Sequence, residues 1–315
     1  MPAVQRPTNN SLASVLRGEG WTEGRNGASG SGSSDAPKCV LLVGDHAHRD
    51  FREAVAWLDQ HTKLVLAASV AEGLTALGHR SGTDDDSESA LFRLVPDVIL
   101  VAQSRPGQIC PRQVEQLHAA SPLSRLVVLA GSWCEGELRS GRPSTGVIRV
   151  LWHQWQPRLI PFLQPGSAPV PALWQMPRTA SLDERLASTV GSWWPRREGL
   201  VAIHTDVRET FAAFSEACHA GGYATVWYLS EGAVATSGVV AALADGVGCD
   251  ARGVRFLQHV VQCHHPAPVI ALLDFLRRQD YDLAKSVGVA AVVAKPLLVY
   301  DLLWHLDNSV ALSTR

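Results

Sequence analysis

The sequence predicts two doubly wound α/β domains in tandem, each with a parallel sheet. Three observations carry that prediction. Short apolar runs without alternation are separated by stretches in which apolar residues return at helical spacing. The pattern of the first half returns in the second at an offset of 143 residues, as from Ala102 to Asp245. A stretch bearing five prolines lies between the halves. An apolar run without alternation fits a strand buried on both faces, which parallel sheets require. Strands that alternate with helices cover such a sheet with two helical layers.

Residues 1–37 carry the run Gly27-Ala28-Ser29-Gly30-Ser31-Gly32-Ser33-Ser34 and read as a disordered tail in which Leu12, Val15 and Leu16 add little apolar surface. The first domain is expected over 38–163. Its strands fall at Cys39–Val43, Leu64–Leu66, Val98–Val101, Leu126–Leu129 and Val147–Leu151. Phe51, Val55 and Leu58 mark its first helix, Leu74 and Leu77 the second, and Leu159, Ile160 and Leu163 the last. The segment 81–89, with Asp84-Asp85-Asp86, reads as a polar surface loop. A linker is expected over 164–197. Inside it, Ser181 and Glu184 have the spacing of a capping box that opens a short helix. Its Trp174, Trp193 and Trp194 are expected to pack against one or both domains as an interdomain wedge, because exposed aromatic clusters mark an interface. The second domain is expected over 198–307. Its strands fall at Leu200–Ile203, Ala224–Tyr228, Val239–Ala244, Val269–Leu273 and Ala290–Ala294, and a tail follows over 308–315.

Composition narrows the function. Hydrophobic residues are 46% and charged residues 18%, enough for two cores, and the net charge of −2 offers no basic surface for nucleic acid. Six cysteines at irregular spacing, with no CxxC pair, read as reduced thiols. Cys263, His264 and His265 are adjacent, which does not match the ligand spacing of metal sites. No apolar run is long enough to span a bilayer and no signal pattern opens the chain, so the expectation is a cytoplasmic protein without a membrane partner.

In the ungapped repeat, Leu129 and Ala130 fall on Leu272 and Leu273. Val150-Leu151-Trp152 falls on Val293-Ala294-Lys295. The first strands sit nearer an offset of 160, which one insertion around Asp84 in the first half would explain. The stretch Pro96-Asp97-Val98-Ile99-Leu100-Val101-Ala102, followed by Arg105-Pro106-Gly107, resembles the third strand and turn of bacterial response-regulator receiver domains. Val43-Gly44-Asp45 resembles the first-strand end of that family. Val292-Val293-Ala294-Lys295-Pro296 resembles its fifth strand and Lys-Pro pair. The resemblance implies flavodoxin-like domains in which an aspartate accepts a phosphoryl group. Two acids hold magnesium there, and a hydroxyl and a lysine bind the phosphate.

Set against that pattern, both sites are degenerate. In the first half Ala102 stands at the acceptor, Gly44 and Asp45 at the acids, Ala130 at the hydroxyl and Trp152 or His153 at the lysine. A methyl group is no nucleophile. In the second half Asp245 stands at the acceptor and Lys295 at the lysine. His204 and Thr205 fall on the acids and Leu273 on the hydroxyl, with Asp206 as the ligand if the register moves by one. No Walker or Gly-x-Gly-x-x-Gly sequence is present. The expectation is a non-enzymatic signalling adaptor without a cofactor, acting through protein contacts. Its contact surface is expected on the last strand and helix of each half, around Trp155 and Tyr300, and at the linker tryptophans. Two alternatives stay open: a phosphoreceiver using Asp245, with magnesium, and a small-molecule or nucleotide sensor at the strand-end crevices. A homodimer also stays open.

Overall fold

The computed structural model describes residues 36–78, 94–137, 146–166, 169–171, 174–188, 197–230, 236–246, 248 and 250–313. Residues 1–35 of the expected N-terminal tail, the Asp84 loop, Trp193 and Trp194 lie outside the described residues.

The first lobe is a five-stranded sheet in the order β2-β1-β3-β4-β5, with every neighbouring pair parallel. Its strands are β1 (Cys39–Gly44), β2 (Lys63–Ala67), β3 (Val98–Gln103), β4 (Arg125–Ala130) and β5 (Ile148–Leu151). Its helices are α1 (Arg52–His61), α2 (Val70–Ala76), α3 (Pro111–Ala120) and α4 (Trp155–Leu163). Alternate side chains along each strand point to opposite faces, and the core divides accordingly. Val40, Leu42, Val98 and Leu100 pack with Phe51, Leu58 and Leu159 of the α1/α4 layer. Leu41, Val43, Ile99 and Val101 pack with Val70, Val114 and Leu117 of the α2/α3 layer.

The linker contains α5 (Leu182–Ala187), opened by the expected capping box: Ser181 N donates to Glu184 Oε2 at 2.7 Å and Glu184 N to Ser181 Oγ at 3.2 Å. The second lobe repeats the sheet with β6 (Leu200–His204), β7 (Ala224–Tyr228), β8 (Val239–Ala244), β9 (Val269–Asp274) and β10 (Ala291–Lys295), again all parallel, in the order β10-β9-β8-β6-β7. Its helices are α6 (Arg208–Ala220), α7 (Ala251–His264), α8 (Arg278–Ser286) and α9 (Val299–Ser313). The last helix runs on to Ser313, so most of the stretch expected as a tail is helical. Only residues 229–238 join β7 to β8, with no helix among the described ones. The length difference between the halves is therefore the helix α2 as well as the loop after it. No helix of the described residues is long and apolar enough to cross a membrane.

The two lobes share one contiguous core, from Val40 through Trp155 to Leu306. Helices α4 and α9 meet at its centre, where Arg158 Nη2 lies 2.9 Å from Asp301 Oδ2. These two residues are 143 apart, the repeat offset, so they occupy the same position of the two lobes. Equivalent faces thus pack on each other, as in a two-fold dimer built within one chain.

Candidate functional site

Loops at the C-terminal ends of parallel strands are where doubly wound folds place their chemistry. In the second lobe these ends bring Asp245, Lys295, Thr205 and Asp274 together. Asp245 follows β8 and is almost fully buried. Lys295 Nζ lies 2.6 Å from Asp245 Oδ1 and 3.1 Å from Asp274 Oδ1. Thr205 Oγ1 donates to Asp245 Oδ2 at 2.9 Å. Burial opposes the charge on Lys295, but its hydrogen bonds to Asp245 and Asp274 outweigh that and hold its pKa above the ordinary lysine value. Both oxygens of Asp245 are thus engaged within the chain.

Backbone phase sets which residues of β6 correspond to the first lobe. Asp45 N donates to Ala102 O of β3, whereas Thr205 N donates to Tyr228 O of β7. In a parallel strand successive residues bond to opposite neighbours, so Thr205 corresponds to Gly44 and Asp206 to Asp45. The first strands are therefore offset by one residue more than the sequence reading has them. His204 moves out of the acid pair: it is fully buried on the α7 face, and its Nε2 lies 2.8 Å from His264 Nε2. Burial, with His264 and His259 adding to it, lowers the His204 pKa to about 4.

The acids that would hold magnesium are thus Thr205, a neutral hydroxyl, and Asp206. Asp206 Oδ1 accepts from Ser230 N at 2.8 Å. Among the described residues no group of three or more His, Cys, Asp or Glu is placed to hold a metal ion. Magnesium takes several oxygen ligands, and this donor set does not fit it. Leu273 at the hydroxyl position is buried, and its neighbour Asp274 reaches Lys295 instead. Around His264, Cys263 Sγ lies 3.6 Å from the His259 ring, so those side chains diverge.

The first lobe has the same strand ends with other contents. Ala102 and Ala130 are fully buried. Gly44 sits at φ +105, and a Cβ there would lie 2.6 Å from Ala102 O, so the backbone itself excludes an acid at this position. Asp45 Oδ2 instead accepts from Ser104 Oγ at 2.6 Å. The polar residues of this end form a structural network: Gln103 Nε2 donates to Glu137 Oε1 at 3.3 Å, and Arg149 Nη2 lies 2.6 Å from Glu137 Oε2. The sequence reading passes over that network because its members lie on three separate segments.

Trp155 and Tyr300 correct the expected contact surface, and Trp174 packs against the first lobe as a linker wedge would. All three are buried within the chain. Trp155 meets Trp57 at 5.9 Å, Trp174 stacks on Phe162 at 4.0 Å, and Tyr300 Oη donates to Pro169 O at 2.5 Å. These three aromatics do mark an interface, and it is one between the chain's own lobes and linker.

No protein-family profile matches the chain, and no curated protein does. Solved structures do resemble it. The receiver domain of the Francisella response regulator 1452 is 14% identical, with a TM-score of 0.33 over 36% of this chain and 98% of that one. The Vibrio cholerae chemotaxis protein CheY4 is 18% identical, with a TM-score of 0.32 over 36% of this chain and 99% of that one. A two-component system response regulator/GGDEF domain protein is 12% identical, with a TM-score of 0.34 over 88% of this chain and 100% of that one. By their own strand order and parallel ladders, both lobes are receiver-like flavodoxin-type α/β domains.

Proposed function

We propose that this chain is a regulatory module of signal transduction that works through protein contacts and not through phosphoryl transfer. The observation that supports this most is the engagement of Asp245. One oxygen is held by the Lys295 ammonium and the other by the Thr205 hydroxyl. A carboxylate tied at both oxygens, beside a donor set that does not fit magnesium, is a poor phosphoryl acceptor, because such transfer depends on charge neutralisation by the metal. The first lobe has Ala102 at the same position, and a methyl group is no nucleophile. What the fold retains is two lobes that share one core, with the buried Arg158–Asp301 pair between them.

The test is intact mass after incubation with acetyl phosphate and magnesium, with Asp245→Ala alongside. The expected result is no added phosphoryl mass under conditions that label a working receiver. A phosphoryl adduct on the wild-type chain that is lost in Asp245→Ala would sink the proposal. The second lobe would then be a receiver, with Lys295 released from Asp245 to meet the phosphate.

A further inference from the structure

The connections that follow β4 and β9 enclose a cleft of about 440 Å³ between the lobes, within the size range of small-ligand pockets. It is distinct from the Asp245 site. Trp133 of the first lobe and Phe275 of the second both line it, and they are 71% and 79% exposed. Phe275 sits at φ +47, the one non-glycine residue with a positive φ among those described. A left-handed backbone is unfavourable for such a residue, and burial of the ring does not offset it, since the ring is 79% exposed. Arg49 and Arg277 line the same cleft. Arg277 makes no side-chain ion pair among the described residues, and Arg49 is 56% exposed with its Nε 3.9 Å from Asp50 Oδ1. Arg278 is engaged elsewhere, with Asp282 at 2.9 Å and Glu53 at 3.4 Å. The acidic member is Glu135. Its Oε1 is engaged within the chain, where it accepts from Trp152 Nε1 at 2.8 Å, and burial raises its pKa.

Two exposed rings beside two guanidinium groups combine a stacking platform with an anion clamp. We propose that this cleft binds a free nucleotide, its base stacked on Trp133 and Phe275 and its phosphate held by Arg49 and Arg277. Every base has a π face, so stacking is tolerant of base identity, and the arginines supply the demand for phosphate. The strain at Phe275 then has a use, because it aims the ring into the cleft.

The experiment is calorimetric titration of the full chain with mononucleotides, their parent nucleosides, inorganic pyrophosphate and a short single-stranded oligonucleotide. A nucleotide is expected to bind saturably, and the nucleoside and pyrophosphate each about tenfold or more weaker, since each keeps only one half of the contacts. Phe275→Gly is the informative variant, because glycine accepts φ +47. It should weaken nucleotide binding about tenfold while the melting temperature holds or rises, a pairing that simple loss of folding does not give. Arg277→Glu should remove the preference for nucleotide over nucleoside. Three results would each overturn the proposal. These are no saturable binding up to about 1 mM, binding unchanged in both variants, or an oligonucleotide that binds more tightly than every mononucleotide.

Discussion

The two lobes part company at the end of the fifth strand. In the second lobe Lys295 turns to Asp245 and completes a polar site. In the first, Trp152 holds the same repeat position and turns toward the other lobe. Its ring meets Tyr281 edge-on at 5.3 Å, and the Arg278 guanidinium lies 5.3 Å from its centroid. Glu53 of α1 accepts from Tyr281 Oη at 2.9 Å and lies beside Arg278. One sheet end has therefore become part of an interface and the other has kept a carboxylate and an ammonium. The lesson is that two lobes of one topology can turn the same strand end to different uses, one toward its neighbour and one toward its own carboxylate. The contact at Arg158 and Asp301 sharpens this. In a true two-fold dimer of either lobe, equivalent positions would meet as Arg on Arg or Asp on Asp. Like charges disfavour that pairing, and the unlike pair within the chain avoids it.

The largest effect is expected at that pair. Arg158→Ala leaves the buried Asp301 without its counter-ion. Burial already raises the Asp301 pKa, and Arg158 is what opposes it. Removing one partner of a buried pair should cost about 3–5 kcal/mol in urea unfolding. Arg158→Leu with Asp301→Leu should recover most of that loss, since a well-packed apolar pair is often neutral or better. It should also show self-association by light scattering, because the charge complementarity that favours the intrachain pairing is gone. A cost under about 1 kcal/mol for Arg158→Ala would mean that the lobes do not depend on this contact.

A second effect separates the lobes by pH. His204 is held to about 4, by burial first and then by His264 and His259. At the interlobe contact, burial holds His153 and His305 each to about 3. An unfolded histidine takes its proton near pH 6.5 (about the free value), so between there and the lowered pKa the unfolded chain binds protons that the folded chain refuses. Stability should be full above about pH 6.5 and fall as pH drops toward 4. The share from His204 alone is about 3 kcal/mol. The first lobe carries Val43 at the corresponding position, which does not titrate. His204→Val with His264→Leu should flatten the profile of denaturation midpoint against pH by about that amount. An unchanged profile would place the acid sensitivity at His153 and His305 instead.

Much of this fold was legible in the sequence because buried parallel strands leave apolar runs that need no partner to be recognised. Val98–Val101 and Val269–Leu273 stand out on that ground alone. Helix α8 does not: it reads Arg-Gln-Asp-Tyr-Asp-Leu-Ala-Lys-Ser, and only Ala284 in it is fully buried. The Asp245–Lys295 pair was legible from spacing, since it rests on strands of regular length. The choice between His204 and Asp206 stayed open, because a shift of one residue changes the face and the hydrogen-bonding neighbour without changing the apolar pattern. The aromatic positions were visible, but their partners were not. Periodicity reports that Trp155 and Tyr300 lie on apolar helices, and it does not report whether the covering surface belongs to the same chain.

The smallest effect tests whether the remaining polar site is structural. Lys295→Met leaves the buried Asp245 with only the Thr205 hydroxyl. The lost charge-assisted bond should cost about 2 kcal/mol, and Thr205→Val, which removes a hydroxyl donor to the same carboxylate, about 1 kcal/mol. Asp245→Asn alone should cost little more than the weakening of these bonds, because the amide oxygen still accepts from one of them. Adding it to Lys295→Met should recover stability, since the uncompensated charge goes with it. Denaturation midpoints of the four variants decide the matter. If Lys295→Met were neutral or stabilising while Asp245→Asn were not, the lysine would be strained against the carboxylate and not holding it. The second lobe would then be poised to release Lys295, unlike the first, whose Trp152 is fixed by the interface.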